Sequence, residues 1–131
     1  MAGIGQGRIT NNLGTFVKDV DGALSIADEK SIAMVYEMLD TEGLYIGASS
    51  ALNVVAAYEL AQKLGPGMIS RESFQQFLLL VLMCSPGHTV VTALCDGAYR
   101  YQSRLFSKAW LKAKGLEAAI PEHLKKYAVL D

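Results

Sequence analysis

Gly43-Leu44-Tyr45-Ile46-Gly47-Ala48-Ser49-Ser50-Ala51-Leu52-Asn53 is the stretch on which the fold turns. Leu44 to Ile46 is short, apolar and β-prone, and it stops at Gly47. From Ser50 to Leu64 the apolar residues fall at helical spacing: Ala51, Val54, Val55, Tyr58, then Ala61 and Leu64. A strand that ends in small residues and hands over to a helix start leaves polar groups at the carboxyl edge of a sheet. Open α/β sheets bind their ligands there. A serine at that point can cap the helix or offer its hydroxyl to a ligand.

Working outward, residues 3–15 are rich in Gly, Thr and Asn and read as a loop. Ala23-Leu24-Ser25-Ile26 reads as a short strand. Asp28 stands where an N-cap is wanted, with Glu29 in the first turn. Ile32, Val35, Tyr36 and Leu39 lie beyond it on one helical face, and Gly43 is placed to end that helix. Downstream, Thr89 to Leu94 is continuous in β-branched and apolar residues, as in a strand buried within a parallel sheet. Ser107 is placed to cap a helix carrying Trp110 and Leu111 that ends near Gly115. Pro121 interrupts the last segment, and the tail to Asp131 reads as docked coil with a short helix. Strand and helix alternate, so the expected fold class is α/β, built from right-handed βαβ units around a partial parallel sheet.

The 131 residues fit one domain by length, and the composition, 51% apolar and 19% charged, is ordinary for a globular chain. A net charge of −1 gives no reason to expect a nucleic-acid or membrane-surface partner. The longest apolar run, Phe77 to Cys84, is too short to span a bilayer. Cys84 and Cys95 form neither a metal pattern nor a disulfide framework. They read as reduced thiols in a reducing compartment, cytoplasmic or mitochondrial. His88 and His123 are isolated, so no metal site is expected.

One segment breaks the pattern. Pro66-Gly67 recurs as Pro86-Gly87, and removing residues 68–87 joins Gly67 directly to His88. The extra stretch is apolar nearly all round, whereas a helix-to-strand connection in an α/β core takes only a few residues. It reads as a translated intron or mis-assigned exon, or alternatively as a genuine insertion.

Four stretches, in order, resemble the pyridoxal-phosphate enzymes of fold type II, the superfamily of the tryptophan synthase β chain. Ile46-Gly47-Ala48-Ser49-Ser50 resembles their Gly-x-Ser-Ser/Ala-Gly turn, and Gly3-Ile4-Gly5 their Gly-Ile-Gly loop. His88 to Gly97 resembles their last core strand and the turn after it, and Tyr99-Arg100-Tyr101-Gln102-Ser103 their Arg-Tyr-x-Ser motif. Within that superfamily the chain is most similar to the fungal-type cysteine synthases. The resemblance covers residues 3–67 and 88–131. It implies the C-terminal part of the large domain, residues 1–131, with an atypical insert at 68–87.

The resemblance places Ser49 beside the pyridine nitrogen of pyridoxal 5'-phosphate. A neutral hydroxyl there donates a hydrogen bond without holding a proton on the ring, which suits β-elimination and β-replacement. A helix-capping role for Ser49 is the plainer alternative, and both can hold at once. Gly3, Ile4 and Gly5 would border the substrate and the ring. Cys95 and Asp96 would help close the pocket, although Cys95 alone reads as a buried small hydrophobe. Asp96 reads as a turn former or as a group that orients Ser49. Arg100, between Tyr99 and Tyr101, reads as packing the C-terminal segment or as an anion contact. No lysine here matches the family's Schiff-base motif, so no catalytic residue is assigned, and the phosphate loop is missing as well.

The implied parent activity is the replacement, by sulfide, of the β-substituent of an O-acetylserine-like amino acid. The family is commonly homodimeric. The chain by itself is expected to be inactive. The alternatives are a truncated paralogue acting as an interaction module, or part of a serine/threonine dehydratase or cystathionine β-synthase-like enzyme.

Overall fold

The structure is a computed structural model, and it describes residues 9–64 and 90–131. Gly3, Ile4, Gly5, His88 and the insert at 68–87 lie outside the described residues. Among the described residues the α-helices are, in chain order, α1 (Asn11–Phe16), α2 (Asp28–Glu42), α3 (Ala48–Leu64), α4 (Gln102–Leu105) and α5 (Lys108–Ala113). Short 3-10 turns lie at Val17–Asp19, Ala98–Tyr101, Glu117–Ala119 and Glu122–Tyr127.

The centre is α2 packed on α3. Helix α2 turns Ile32, Val35 and Tyr36 inward, the face read from the sequence, and adds Met34 and Met38. Helix α3 answers with Ala51, Val54, Val55 and Ala61. Its small residues let the two backbones approach, and α2 fills the space with larger side chains. Asp28 lies inside the first turn of α2, and the N-cap is Ala27, without a side-chain bond. The acidic pair Asp28 and Glu29 still lies at the positive end of the helix dipole. Gly43 ends α2 in the left-handed conformation, φ 65°, where a Cβ would be strained. The N–H of Leu44 then donates to the Met38 carbonyl at 3.0 Å.

The C-terminal segment closes over this pair. Ser107 caps α5 by accepting from the Trp110 N–H at 3.2 Å. Gly115, φ 69°, ends it with a Schellman arrangement: Leu116 N–H donates to Leu111 O at 2.9 Å and Gly115 N–H to Lys112 O at 3.0 Å. Leu111, Ile120 and Leu124 are buried in the common core. The Tyr36 hydroxyl donates to the Leu105 carbonyl at 2.7 Å, tying the middle of α2 to the C-terminal third of the chain. Burial of that phenol pushes its pKa up. Phe106 sits between the rings of Tyr36 and Tyr45, with centroids 5.2 and 5.1 Å away. After Pro121 the tail docks through Leu124 and Ala128, and Leu130 bonds the backbone at Phe106 and Lys108.

Helices α2, α3 and α5 agree with the sequence; α1, α4 and the strands do not. Residues 11–16, read as part of a loop, form α1, capped by Thr10, which accepts from Leu13 N–H at 3.4 Å. Residues 23–26 belong to no helix or strand. At 44–46 a lone antiparallel bridge, Ile46 to Gly97, stands where a buried parallel strand was expected. Residues 90–95 are not a strand, and Val91 is 86% exposed. Among the described residues there is no parallel sheet. The physical reason is that strand propensity describes a half-buried surface and not a preference of the backbone itself. A parallel strand needs hydrogen-bonded neighbours and cover on both faces. Along 90–95 the contacts are a few side-chain bonds to Asn53.

Candidate functional site

The chain reaches the site along two short runs. After Gly43, Tyr45 and Ile46 cross the Gly97 turn: Ala98 N–H donates to Tyr45 O at 3.1 Å, and Gly47 N–H donates to Asp96 O at 3.0 Å. Ile46 is buried and anchors the crossing. Gly47 accepts the first intrahelical bond of α3, from Ala51 N–H at 3.0 Å, which puts Ala48, Ser49 and Ser50 in the first turn. A side chain at Gly47 would collide with the Asp96 carboxylate. The missing Cβ would lie 3.1 Å from Asp96 Cγ and 3.3 Å from Gly97 O.

The two serines divide the work. Ser50 is fully buried, and a buried hydroxyl needs partners. It donates to Asp96 O at 2.8 Å and accepts from Asp96 N–H at 3.1 Å, so it holds the residue by its backbone. Ser49 is half-buried and donates to the Asp96 carboxylate at 3.2 Å. The carboxylate therefore lies beside the start of a 17-residue helix, where the macrodipole favours an anion. The Tyr101 hydroxyl also bonds this carboxylate, and that bond with the adjacent charge raises the Tyr101 pKa.

One turn along α3, Asn53 braces the other run. Its Nδ2 donates to Ala93 O at 3.0 Å and lies 3.3 Å from Cys95 Sγ, while Thr92 Oγ1 donates to Asn53 O at 3.2 Å. Cys95 is an exposed free thiol, which corrects its reading as a buried small hydrophobe. The physical reason is its neighbour: the amide of Asn53 faces the sulfur, where a buried thiol would have apolar cover.

The structure thus brings Ser49 and Asp96 into contact, with Cys95 next along the same segment. Gly3, Ile4 and Gly5 lie outside the described residues. Sequence reading missed Asn53 and the clamping role of Ser50. The signal for Asn53 was its i+4 spacing from Ser49, which puts both on one face of α3. Arg100 is exposed, and the adjacent Tyr99 packs edge-on against Tyr45 with centroids 5.1 Å apart. Among the described residues, no buried side-chain nitrogen or oxygen lacks a partner. Among them too, no group of three His, Cys, Asp or Glu residues could hold a metal ion, and no helix is long and apolar enough to cross a membrane.

Cysteine synthase 1 of Emericella nidulans is 58% identical to the chain over 128 residues, which is 98% of this chain and 29% of that protein. Cysteine synthase 1 of Neurospora crassa matches with the same identity and coverage. The chain belongs to the cysteine synthases. Cysteine synthase 2 of Schizosaccharomyces pombe is 34% identical over 122 residues, 93% of this chain and 26% of that protein. The resemblance carried by the four motifs is borne out. The chain spans about 29% of the length of the first two relatives, so it corresponds to a fragment of them. No family model and no solved structure matches it.

Proposed function

We propose that this chain carries the C-terminal part of a pyridoxal 5'-phosphate-dependent cysteine synthase that replaces the β-substituent of an O-acetylserine-like amino acid with sulfide. The observation that carries the reading is 58% identity to cysteine synthases across 98% of the chain. The hydroxyl–carboxylate pair at the start of α3 supports it, because it presents polar atoms where that family is expected to hold the cofactor ring.

The residues fit this group at its ring. Ser49 would face the ring nitrogen, with Asp96 behind it and Cys95 on the adjoining wall. Gly3, Ile4 and Gly5 would border ring and substrate. When bound, the cofactor supplies an electron sink for the carbon that loses its proton. The chain's own part is positional. Ser50 and Gly47 lock Asp96 by its backbone, Asp96 fixes the Ser49 hydroxyl, and the core behind Ile46 keeps the helix start in place. The Schiff-base lysine and the phosphate loop belong to the portion of the enzyme outside this match, and the chain alone is inactive. In the assembled enzyme 44–46 and 89–94 are strands of the large domain's parallel sheet, with neighbours supplied by that other portion, and 68–87 is an insert. The assembled enzyme is a homodimer in the cytoplasm or mitochondrion.

The test is a chimera in which this chain replaces the matched 128 residues of the Emericella enzyme. Cysteine formation from O-acetylserine and sulfide is expected from the chimera and not from the 131-residue chain by itself. A folded but inactive chimera overturns the assignment, and robust turnover by the chain alone overturns its inactivity. A second reading, a truncated paralogue that docks on a full-length enzyme, is favoured by the apolar side chains left exposed on residues 9–24. Capture of the full-length enzyme by the chain, together with an inactive chimera, would establish that reading instead.

A further inference from the structure

The last residues of the chain reach the Asp96 turn through one ring. Leu130 bonds the corner between α4 and α5 twice. Its N–H donates to Phe106 O at 3.0 Å, and its carbonyl accepts from Lys108 N–H at 2.8 Å. The strap that carries it, residues 121–131, is anchored on α2. There the Tyr127 hydroxyl donates to Asp40 at 2.6 Å, and Leu124 is fully buried. The same corner is also held by the Tyr36 hydroxyl, which donates to Leu105 O at 2.7 Å. Phe106 is thus fixed through its backbone and its neighbours, with its side chain buried.

The Phe106 ring stacks on Tyr45 at 5.1 Å, with 27° between the planes. Tyr45 has a second aromatic neighbour in Tyr99, but Tyr99 is 74% exposed and gives no fixed support. Tyr45 stands where the two runs of the site cross. Its carbonyl accepts from Ala98 N–H at 3.1 Å, and two residues on, Gly47 N–H donates to Asp96 O at 3.0 Å. A tilt of Tyr45 bears on both bonds. Three contacts in series therefore join the strap to the site: Leu130 to the Phe106 backbone, the Phe106 ring to the Tyr45 ring, and the Tyr45 backbone to the turn at 96–98. Close-packed rings leave little slack in which a displacement could be absorbed.

We propose that the strap sets the order of the Asp96 turn through Phe106, so that the start of α3 tightens when Leu130 is docked and loosens when it lifts. Phe106 is then a positioning residue for that turn. The part able to lift is Val129, Leu130 and Asp131, all three exposed. The coupling belongs to the chain itself, and no cofactor enters it.

The test is native-state amide exchange on the 131-residue chain and on a chain ending at Ala128. Removing three exposed residues leaves Leu124 buried and the Tyr127–Asp40 bond in place. Lys108 N–H loses its acceptor and should exchange freely. The amides of Gly47, Asp96 and Ala98 should exchange about tenfold faster, while Tyr36 and Met38 in α2 keep their rates. Phe106→Leu in the full chain keeps the backbone bonds and removes the ring. It should speed the same three amides by a similar factor and leave Lys108 N–H protected. The two changes together should add little beyond either one, as expected of a shared route. Should the shortened chain fail to fold, Leu130→Pro, which removes the N–H to Phe106 O, carries the same expectation. Unchanged rates at Gly47, Asp96 and Ala98 in either variant overturn the inference. An equal rise at Tyr36 and Met38 also overturns it, since that is a loss of stability throughout. Fully additive effects overturn the route through Phe106.

Discussion

Replacing Gly47 with Ala adds a single carbon, and the structure says where it goes. It would sit 3.1 Å from Asp96 Cγ and 3.3 Å from Gly97 O, closer to both than ordinary van der Waals contact. Gly47 does not have a left-handed backbone, which among the described residues belongs to Gly43 and Gly115. The cost is therefore steric: the Asp96 carboxylate must swing off Ser49, and Gly97 O must give by a few tenths of an ångström. The Asp96 turn is tied to the start of α3 by Gly47 N–H at 3.0 Å, the Ser50 hydroxyl at 2.8 Å and the Ser49 hydroxyl at 3.2 Å. Losing two of these bonds costs about 1–3 kcal/mol at roughly 0.5–1.5 each. Alanine stiffens the unfolded chain and returns about 0.4–1 kcal/mol. A net loss of about 1–2 kcal/mol is expected, read as a lower urea midpoint by far-UV circular dichroism. The amide signals of Asp96 and Ser50 should shift while those in the middle of α2 stay. A Gly47→Ala chain as stable as the parent, with those two amides unmoved, would refute the reasoning.

Three further outcomes rest on the same geometry. Tyr36→Phe removes the buried hydroxyl that holds Leu105 O at 2.7 Å, and should cost about 1–3 kcal/mol in the same unfolding assay because the carbonyl is left unpaired. Gly115→Ala forces a side chain into φ 69° and should cost roughly 1–2 kcal/mol, loosening the end of α5 as seen in faster amide exchange at Leu116. The Asp40 carboxyl is held below its usual 3.8, first by the Tyr127 hydroxyl at 2.6 Å and then by Lys126. Its folded pKa is the lower one, so its contribution is present above the ordinary carboxyl range and is lost as pH falls through the folded value. Asp40→Asn should flatten the acid limb of a stability profile below about pH 4. An unchanged limb would show that Asp40 adds nothing to the acid response.

Helices α2, α3 and α5 were legible because each signal was local. Ile32, Val35 and Tyr36 mark a face, Gly43 and Gly115 stop two helices, and Ser107 caps the second of these, all within a few residues of the structure they specify. The strands are not formed among the described residues because a run such as Val90-Val91-Thr92 records the surroundings it suits and cannot create them. Within the site, the turn at Ser49 was readable from its small residues, and Asp96 from its place after an apolar run. Their contact spans 47 residues of chain and was legible only as one of two options for Asp96. Cys95 was misplaced for the same reason as the run that precedes it: exposure depends on what lies above a residue.

The first described stretch of the chain has a bearing on its fate in a cell. Ile9, Phe16 and Val20 are each more than half exposed, at 64%, 62% and 52%, and neither α1 nor the turn after it buries a residue. Quality-control machinery reads open oily surface as unfinished folding and directs it to refolding or degradation. The steady-state amount of this polypeptide would then track the supply of whatever shields that strip more closely than it tracks the messenger RNA.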